Sequence, residues 1–82
     1  MAFVYILKGT TGRYYIGYTQ DVAKRLEYHN SGRVHSTKRL GIPLELIAAK
    51  ELPSVTEARS IESQLKRWKN PAKAIDFLRS KT

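Results

Sequence analysis

The chain has 82 residues, 41% hydrophobic and 27% charged, a mixture that suits one thin-cored globular domain over residues 1–82 and not a disordered chain. It contains no cysteine, which removes disulfides, thiolate zinc sites and cysteine nucleophiles together and fits a reducing, cytoplasmic setting. Fifteen Lys and Arg against seven Asp and Glu leave a net charge of +8, which favours nucleic acid as partner over an acidic protein or mere solubility.

The first apolar run, Phe3 to Leu7, meets Lys8 and is too short for a signal-peptide core or a membrane span. It is aromatic and β-branched, as is Arg13 to Thr19, and Gly9-Thr10-Thr11-Gly12 between them reads as a hairpin connection. A three-residue loop with Gly12 in the left-handed conformation pairs Gly9 with Arg13, Leu7 with Tyr15 and Tyr5 with Gly17. That register puts Tyr5 and Tyr15 on one side of the hairpin; a loop of two or four residues would separate them. The glycines are not a phosphate-cradling loop, since they lack a Gly-Lys-Ser/Thr ending and open no helix.

A helix is predicted from Asp21 to Gly32, with Val22, Ala23 and Leu26 as its apolar stripe and Arg25 and His29 along one edge. Residues 31–42 read as a basic, polar connection without periodicity. Pro43 then opens a strand, Leu44 to Leu52, expected to bury much of both faces at Leu46-Ile47-Ala48-Ala49. Ser54 with Glu57 forms a capping box for the next helix, whose buried arc is Val55, Ala58, Ile61, Leu65 and Trp68. Asn70-Pro71 is an N-cap followed by proline at the first helical position, opening a last helix through Leu78. The order β-β-α-β-α-α specifies an α+β domain: a small, largely antiparallel three-stranded sheet flanked by helices.

Glu62 is the strongest anomaly, because it falls inside the apolar arc, about 40° from its centre at roughly 100° per residue. A carboxylate there needs compensation. It is ion-paired to Arg25 or another basic residue, or sits at a rim where its side chain reaches water, or is a ligand for a hard cation such as Mg²⁺. Tyr5 and Tyr15 are ordinary core residues taken singly; together on one face, beside Arg25 and His29, they could hold water or a phosphate oxygen. Arg25 is a solvated helical residue or a phosphate-binding fork. His29 is a helix C-terminal cation or a proton carrier. His35 reads as a surface residue, and two histidines without cysteine argue against structural zinc.

Phe3-Val4-Tyr5, with Tyr15-Ile16-Gly17 ten residues on, resembles the paired motifs of the GIY-YIG nucleases. Arg25 follows ten residues further, and Ala58-Arg59-Ser60-Ile61-Glu62-Ser63-Gln64-Leu65-Lys66 resembles the family's helical glutamate segment. The resemblance runs from residue 3 to about 78 and is nearest to the short stand-alone members of the UPF0213 or YhbQ-like kind. Phe3-Val4 replaces the Gly-Ile that names the motif. His29 matches a position that is histidine in some branches and tyrosine in others. Asn70 is the candidate for an asparagine often found beyond the glutamate helix, although its place before Pro71 already explains it as a cap.

What the resemblance implies is an endonuclease that hydrolyses nucleic-acid phosphodiester bonds, DNA in the first instance, with one divalent metal ion, Mg²⁺ or Mn²⁺. Its metal ligand maps to Glu62, its arginine to Arg25, its tyrosines to Tyr5 and Tyr15. In that scheme Tyr5, or His29 acting with it, deprotonates the attacking water, and the residues alone do not say which. Arg33, Lys38, Arg39, Lys66, Arg67 and Lys69 would engage flanking phosphates. Neither a membrane nor a small-molecule cofactor is called for. The rivals are a non-catalytic nucleic-acid-binding module on the same scaffold and a basic protein-interaction domain.

Overall fold

The two aromatic runs at the start of the chain form the hairpin that organises everything else. A computed structural model describes residues 1–80, and in it β1 (Ala2–Lys8) pairs antiparallel with β2 (Tyr14–Thr19). Gly12 adopts φ +89°, a conformation that only glycine takes without penalty. The Gly9 N–H donates to the Arg13 carbonyl at 2.9 Å, closing the three-residue loop. The resulting register sets Tyr5 opposite Gly17 and Leu7 opposite Tyr15, as the turn chemistry requires.

Helix α1 (Val22–Asn30) starts at Asp21, whose side chain accepts the Lys24 N–H at 3.0 Å. Its inward side differs from the expected stripe. Ala23 is exposed, Val22 and Leu26 are half-buried, and the fully buried residue is His29. A polar ring can take that position because hydrogen bonds satisfy both of its nitrogens. Asn30 then clamps the helix end to the start of the third strand: its side chain accepts the Leu44 N–H at 2.6 Å and donates to the Leu44 carbonyl at 3.3 Å.

The connection expected to be irregular contains a single helical turn, α2 (His35–Lys38), giving the order β-β-α-α-β-α-α. Four residues are too few to show a hydrophobic period, so tertiary contacts define this turn. Thr37 is completely buried and His35 exposed. The following loop docks on the hairpin, with the Thr11 N–H donating to the Leu40 carbonyl at 3.0 Å and the Thr10 N–H to the Gly41 carbonyl at 3.1 Å. Gly9 permits this approach, because a β-carbon there would overlap the Leu40 backbone.

Strand β3 (Glu45–Leu52) pairs with β1 and completes a sheet of order β2-β1-β3. The expectation that it buries both faces is wrong: Leu46 and Ala49 are exposed, while Ala48 is buried and Ile47 half-buried. β3 is an edge strand covered on one side, and a register shift opposite Ile6 and Leu7 skips Ile47. Helix α3 (Val55–Trp68) begins at Ser54, which caps the Glu57 N–H at 3.2 Å, and α4 (Pro71–Arg79) begins at Asn70, which caps the Lys73 N–H at 3.1 Å. Val55 leaves the predicted arc and is exposed, being in the first turn.

β1 divides two interiors. Ala2, Val4 and Ile6 pack with Ala48, Ala58, Leu65, Ala74 and Leu78 under α3 and α4. Tyr5 and Leu7 pack on the opposite face with Leu40, Leu44 and the half-buried Tyr15 and Leu26. No helix among the described residues is long and apolar enough to cross a membrane.

Candidate functional site

The second of those interiors opens on a cleft of about 870 Å³, lined by Tyr5, Tyr15, Arg25 and Glu62 among others. Each side chain arrives from a different element, so only the folded chain brings them together. The strand period points Tyr5 and Tyr15 to one face, with ring centroids 6.3 Å apart. Gly17, opposite Tyr5, makes room for that ring. A β-carbon at Gly17 would stand 2.6 Å from Tyr5 Oη and 3.0 Å from Tyr15 Cε2. The Gly17 position therefore shapes the cleft as directly as the tyrosines do.

Arg25 is exposed in the cleft and has no carboxylate partner among the described residues. Its guanidinium lies 5.9 Å from the centroid of the Tyr28 ring, a cation–π contact that leaves its N–H fork free for an anion. Glu62 is 18% exposed at its side chain, with Lys66 Nζ 3.7 Å from its carboxylate. The compensating charge is thus Lys66, one turn along the same helix, and not Arg25. Lys66 itself also lies over the Tyr15 ring at 5.9 Å.

His29 is 1% exposed and does not line the cleft. It sits behind Tyr5, with His29 Nε2 and Tyr5 Oη 3.0 Å apart, and behind Tyr15 at a ring separation of 5.0 Å. Its other nitrogen, Nδ1, is 2.9 Å from Thr37 Oγ1. Burial and then Arg25 hold the His29 pKa below its ordinary 6.5, so the ring is neutral at pH 7 and can accept a proton. Burial, with Tyr15 and Glu62 adding to it against the pull of Arg25, pushes the Tyr5 phenol well above its ordinary value. Tyr5 therefore keeps its proton at neutral pH unless a neighbour takes it.

The predicted basic residues do not share one place. Lys66 and Lys69 flank a smaller groove of about 390 Å³ with Tyr14, Tyr15 and Asn70, adjoining the cleft through Tyr15. Arg33, Lys38, Arg39 and Arg67 are exposed but line neither depression. Asn70 is exposed and engaged as the α4 cap. Sequence reasoning passed over Lys24 and Tyr28, which line the cleft beside Arg25. Tyr28 is three positions from Arg25 on α1, and that spacing could have found it. Nothing local marks Thr37.

No group of three or more His, Cys, Asp or Glu side chains able to hold a metal is found among the described residues. An ion at Glu62 would have one protein carboxylate and an open cleft for water and a phosphate oxygen. That donor set fits Mg²⁺ or Mn²⁺ and does not fit zinc.

Residues 1–75 match the family model of the GIY-YIG catalytic domain. The UPF0213 protein of Streptococcus pneumoniae serotype 4 is 46% identical over 72 residues, which cover 88% of this chain and 73% of that relative. The UPF0213 protein of Bacillus pumilus is 37% identical over 73 residues, covering 89% and 74%. The solution NMR structure of the UPF0213 protein BH0048 from Bacillus halodurans is 32% identical over the whole of both chains, with a TM-score of 0.45.

Proposed function

Since the chain belongs to the GIY-YIG catalytic-domain family, we propose that it is a metal-dependent endonuclease acting on nucleic acid, DNA first. The observation that carries this reading is the convergence of Tyr5, Tyr15, Arg25 and Glu62 on one open, basic-flanked cleft. A module that only bound nucleic acid would need the positive charge but not a half-buried carboxylate facing two tyrosines.

Glu62 would hold the divalent ion, which when bound supplies Lewis-acid neutralisation of the phosphate and of the leaving 3′-oxygen. Arg25 donates its free fork to a non-bridging oxygen as negative charge builds on the phosphoryl group. Tyr15 and Tyr5 position the attacking water. Tyr5 takes the water's proton while giving its own to His29, which is too deeply buried to reach the water itself. The water oxygen bonds to phosphorus, the bond to the 3′-oxygen breaks, and that oxygen takes a proton from solvent. Lys24, Lys66 and Lys69 hold the flanking strand by its phosphates.

Glu62→Gln tests the reading. It keeps the side-chain shape and removes the charge, so cleavage of labelled single-stranded, duplex and branched DNA in Mg²⁺ should fall by about a thousandfold or more, roughly 4 kcal/mol of barrier. Affinity measured without metal should hold or rise. Cleavage at the wild-type rate would show that Glu62 holds no essential ion.

A further inference from the structure

We propose that Thr37 is a positioning residue, fixing the tautomer of His29 and with it the direction in which the Tyr5 proton can leave. The role rests on the nuclease reading above, but the hydrogen-bond geometry behind it does not. Three buried groups form a chain: Tyr5 Oη to His29 Nε2 at 3.0 Å, His29 Nδ1 to Thr37 Oγ1 at 2.9 Å, and Thr37 Oγ1 to the Val34 carbonyl at 3.3 Å. A carbonyl can only accept, so Thr37 donates at that end of the chain. Its oxygen is then the acceptor for a hydrogen on Nδ1. That leaves Nε2 bare, and Nε2 accepts from the Tyr5 hydroxyl.

The opposite tautomer satisfies fewer groups. With hydrogen on Nε2, the ring would donate to Tyr5 Oη, and Thr37 would turn its hydroxyl from Val34 to Nδ1. The Tyr5 hydrogen would then turn from His29 toward the open cleft, because His29 is its protein hydrogen-bond partner among the described residues, and the three-group chain would be broken. Burial raises the stakes, since Tyr5, His29 and Thr37 are 2%, 1% and 0% exposed.

Chemically the two tautomers are not equivalent. Only a bare Nε2 can receive the Tyr5 proton as Tyr5 receives one from water, leaving an imidazolium whose Nδ1–H still points to Thr37. Thr37 owes its place to contacts that do not involve His29, namely the turn of α2 and the docking of residues 40 and 41 on the hairpin loop. It is therefore a fixed reference against which the ring is oriented. The other groups facing His29 are Tyr15 from β2 and Tyr28 from α1, with Arg25 as the nearby charge. None of them is a hydrogen-bond partner of Nδ1.

The test combines kinetics with long-range proton–nitrogen correlation spectra of the labelled full chain at neutral pH. Wild-type His29 should carry its hydrogen on Nδ1. Thr37→Val keeps the branched shape and removes the acceptor, so the His29 signal should move toward the Nε2-protonated form. In that variant kcat should drop by about a hundredfold while KM stays within about twofold. Thr37→Ser should restore both tautomer and rate. A wild-type spectrum with hydrogen on Nε2 overturns the proposal, as does a Thr37→Val variant that keeps the Nδ1 form and the wild-type rate. If Thr37→Val does not fold, Thr37→Ser decides: it must match wild type in spectrum and rate, and loss of either refutes the assignment. If the wild-type protein cleaves nothing, the nuclease reading fails, and the spectra alone uphold or refute the hold of Thr37 on His29.

Discussion

Strand β1 meets two unlike interiors, one on each face. Beneath α3 and α4, Ala2, Val4 and Ile6 enter a core whose fully buried members are aliphatic, with half-buried aromatic rings packed around them. On the other face, one residue along, Tyr5 and Leu7 share their interior with His29 and Thr37, both buried and both hydrogen-bonded. The first interior tolerates exchange of shape for shape; the second ties each polar atom to a named partner, and no buried side-chain polar atom among the described residues lacks one. A one-residue step along a single strand thus separates the aliphatic core from the polar interior behind the candidate site.

Truncation on the dry side should produce the largest effect. Leu65→Ala removes a side chain 1% exposed in the α3 core and should lower unfolding free energy by about 2–5 kcal/mol, seen as a falling urea midpoint. Any fraction that stays folded should cleave normally. Tyr5→Phe should do the reverse. Removing the hydroxyl leaves His29 Nε2 unpaired and should cost about 1–3 kcal/mol of stability, whereas single-turnover cleavage should drop by about a hundredfold to a thousandfold.

Gly17→Ala sharpens the contrast further. The added methyl can be accommodated only if the Tyr5 ring shifts, which would strain its 3.0 Å contact with His29. Stability should fall by about 1–3 kcal/mol, with a cleavage defect that Tyr5→Phe does not deepen additively. A fully additive double mutant would mean that Gly17 acts elsewhere.

The smallest effect is a dependence on pH confined to the wet side. His29 has a folded pKa below its ordinary 6.5, so the unfolded chain binds the proton more readily. The stabilisation is complete above about 6.5 and is lost as pH falls from there to the lowered folded value. Comparing urea midpoints of wild type and His29→Gln through that window should show the slope in wild type only. Leu65→Ala should keep it.

The legible parts of the fold were those governed by local chemistry. Gly12 specified the hairpin loop and with it the shared face of Tyr5 and Tyr15; Ser54 and Asn70 announced two helices by their caps. Glu62 stood out because a charge inside an apolar arc breaks a pattern. The reading failed where position in the whole molecule decides. β3 carries a hydrophobic run yet lies at a sheet edge, so Leu46 and Ala49 face outward. His29 reads as a helix-end cation or a proton carrier, and nothing in the local sequence marks its burial between Tyr5 and Thr37. Thr37 lies in four helical residues with no period, and only its three-dimensional neighbours give it meaning.

The docking of residues 40 and 41 on the hairpin tip has a consequence for the engineer. Short strand-to-strand turns are ordinarily where a chain accepts an inserted peptide, a fluorescent tag or a new terminus. Here both threonine amides at the tip, and the Thr11 hydroxyl at 2.7 Å from the Leu40 carbonyl, are committed to Leu40 and Gly41, far downstream in the chain. The turn's length is consequently fixed from outside the hairpin. Lengthening it would loosen the 37–41 segment and reach the cleft without altering one residue in it.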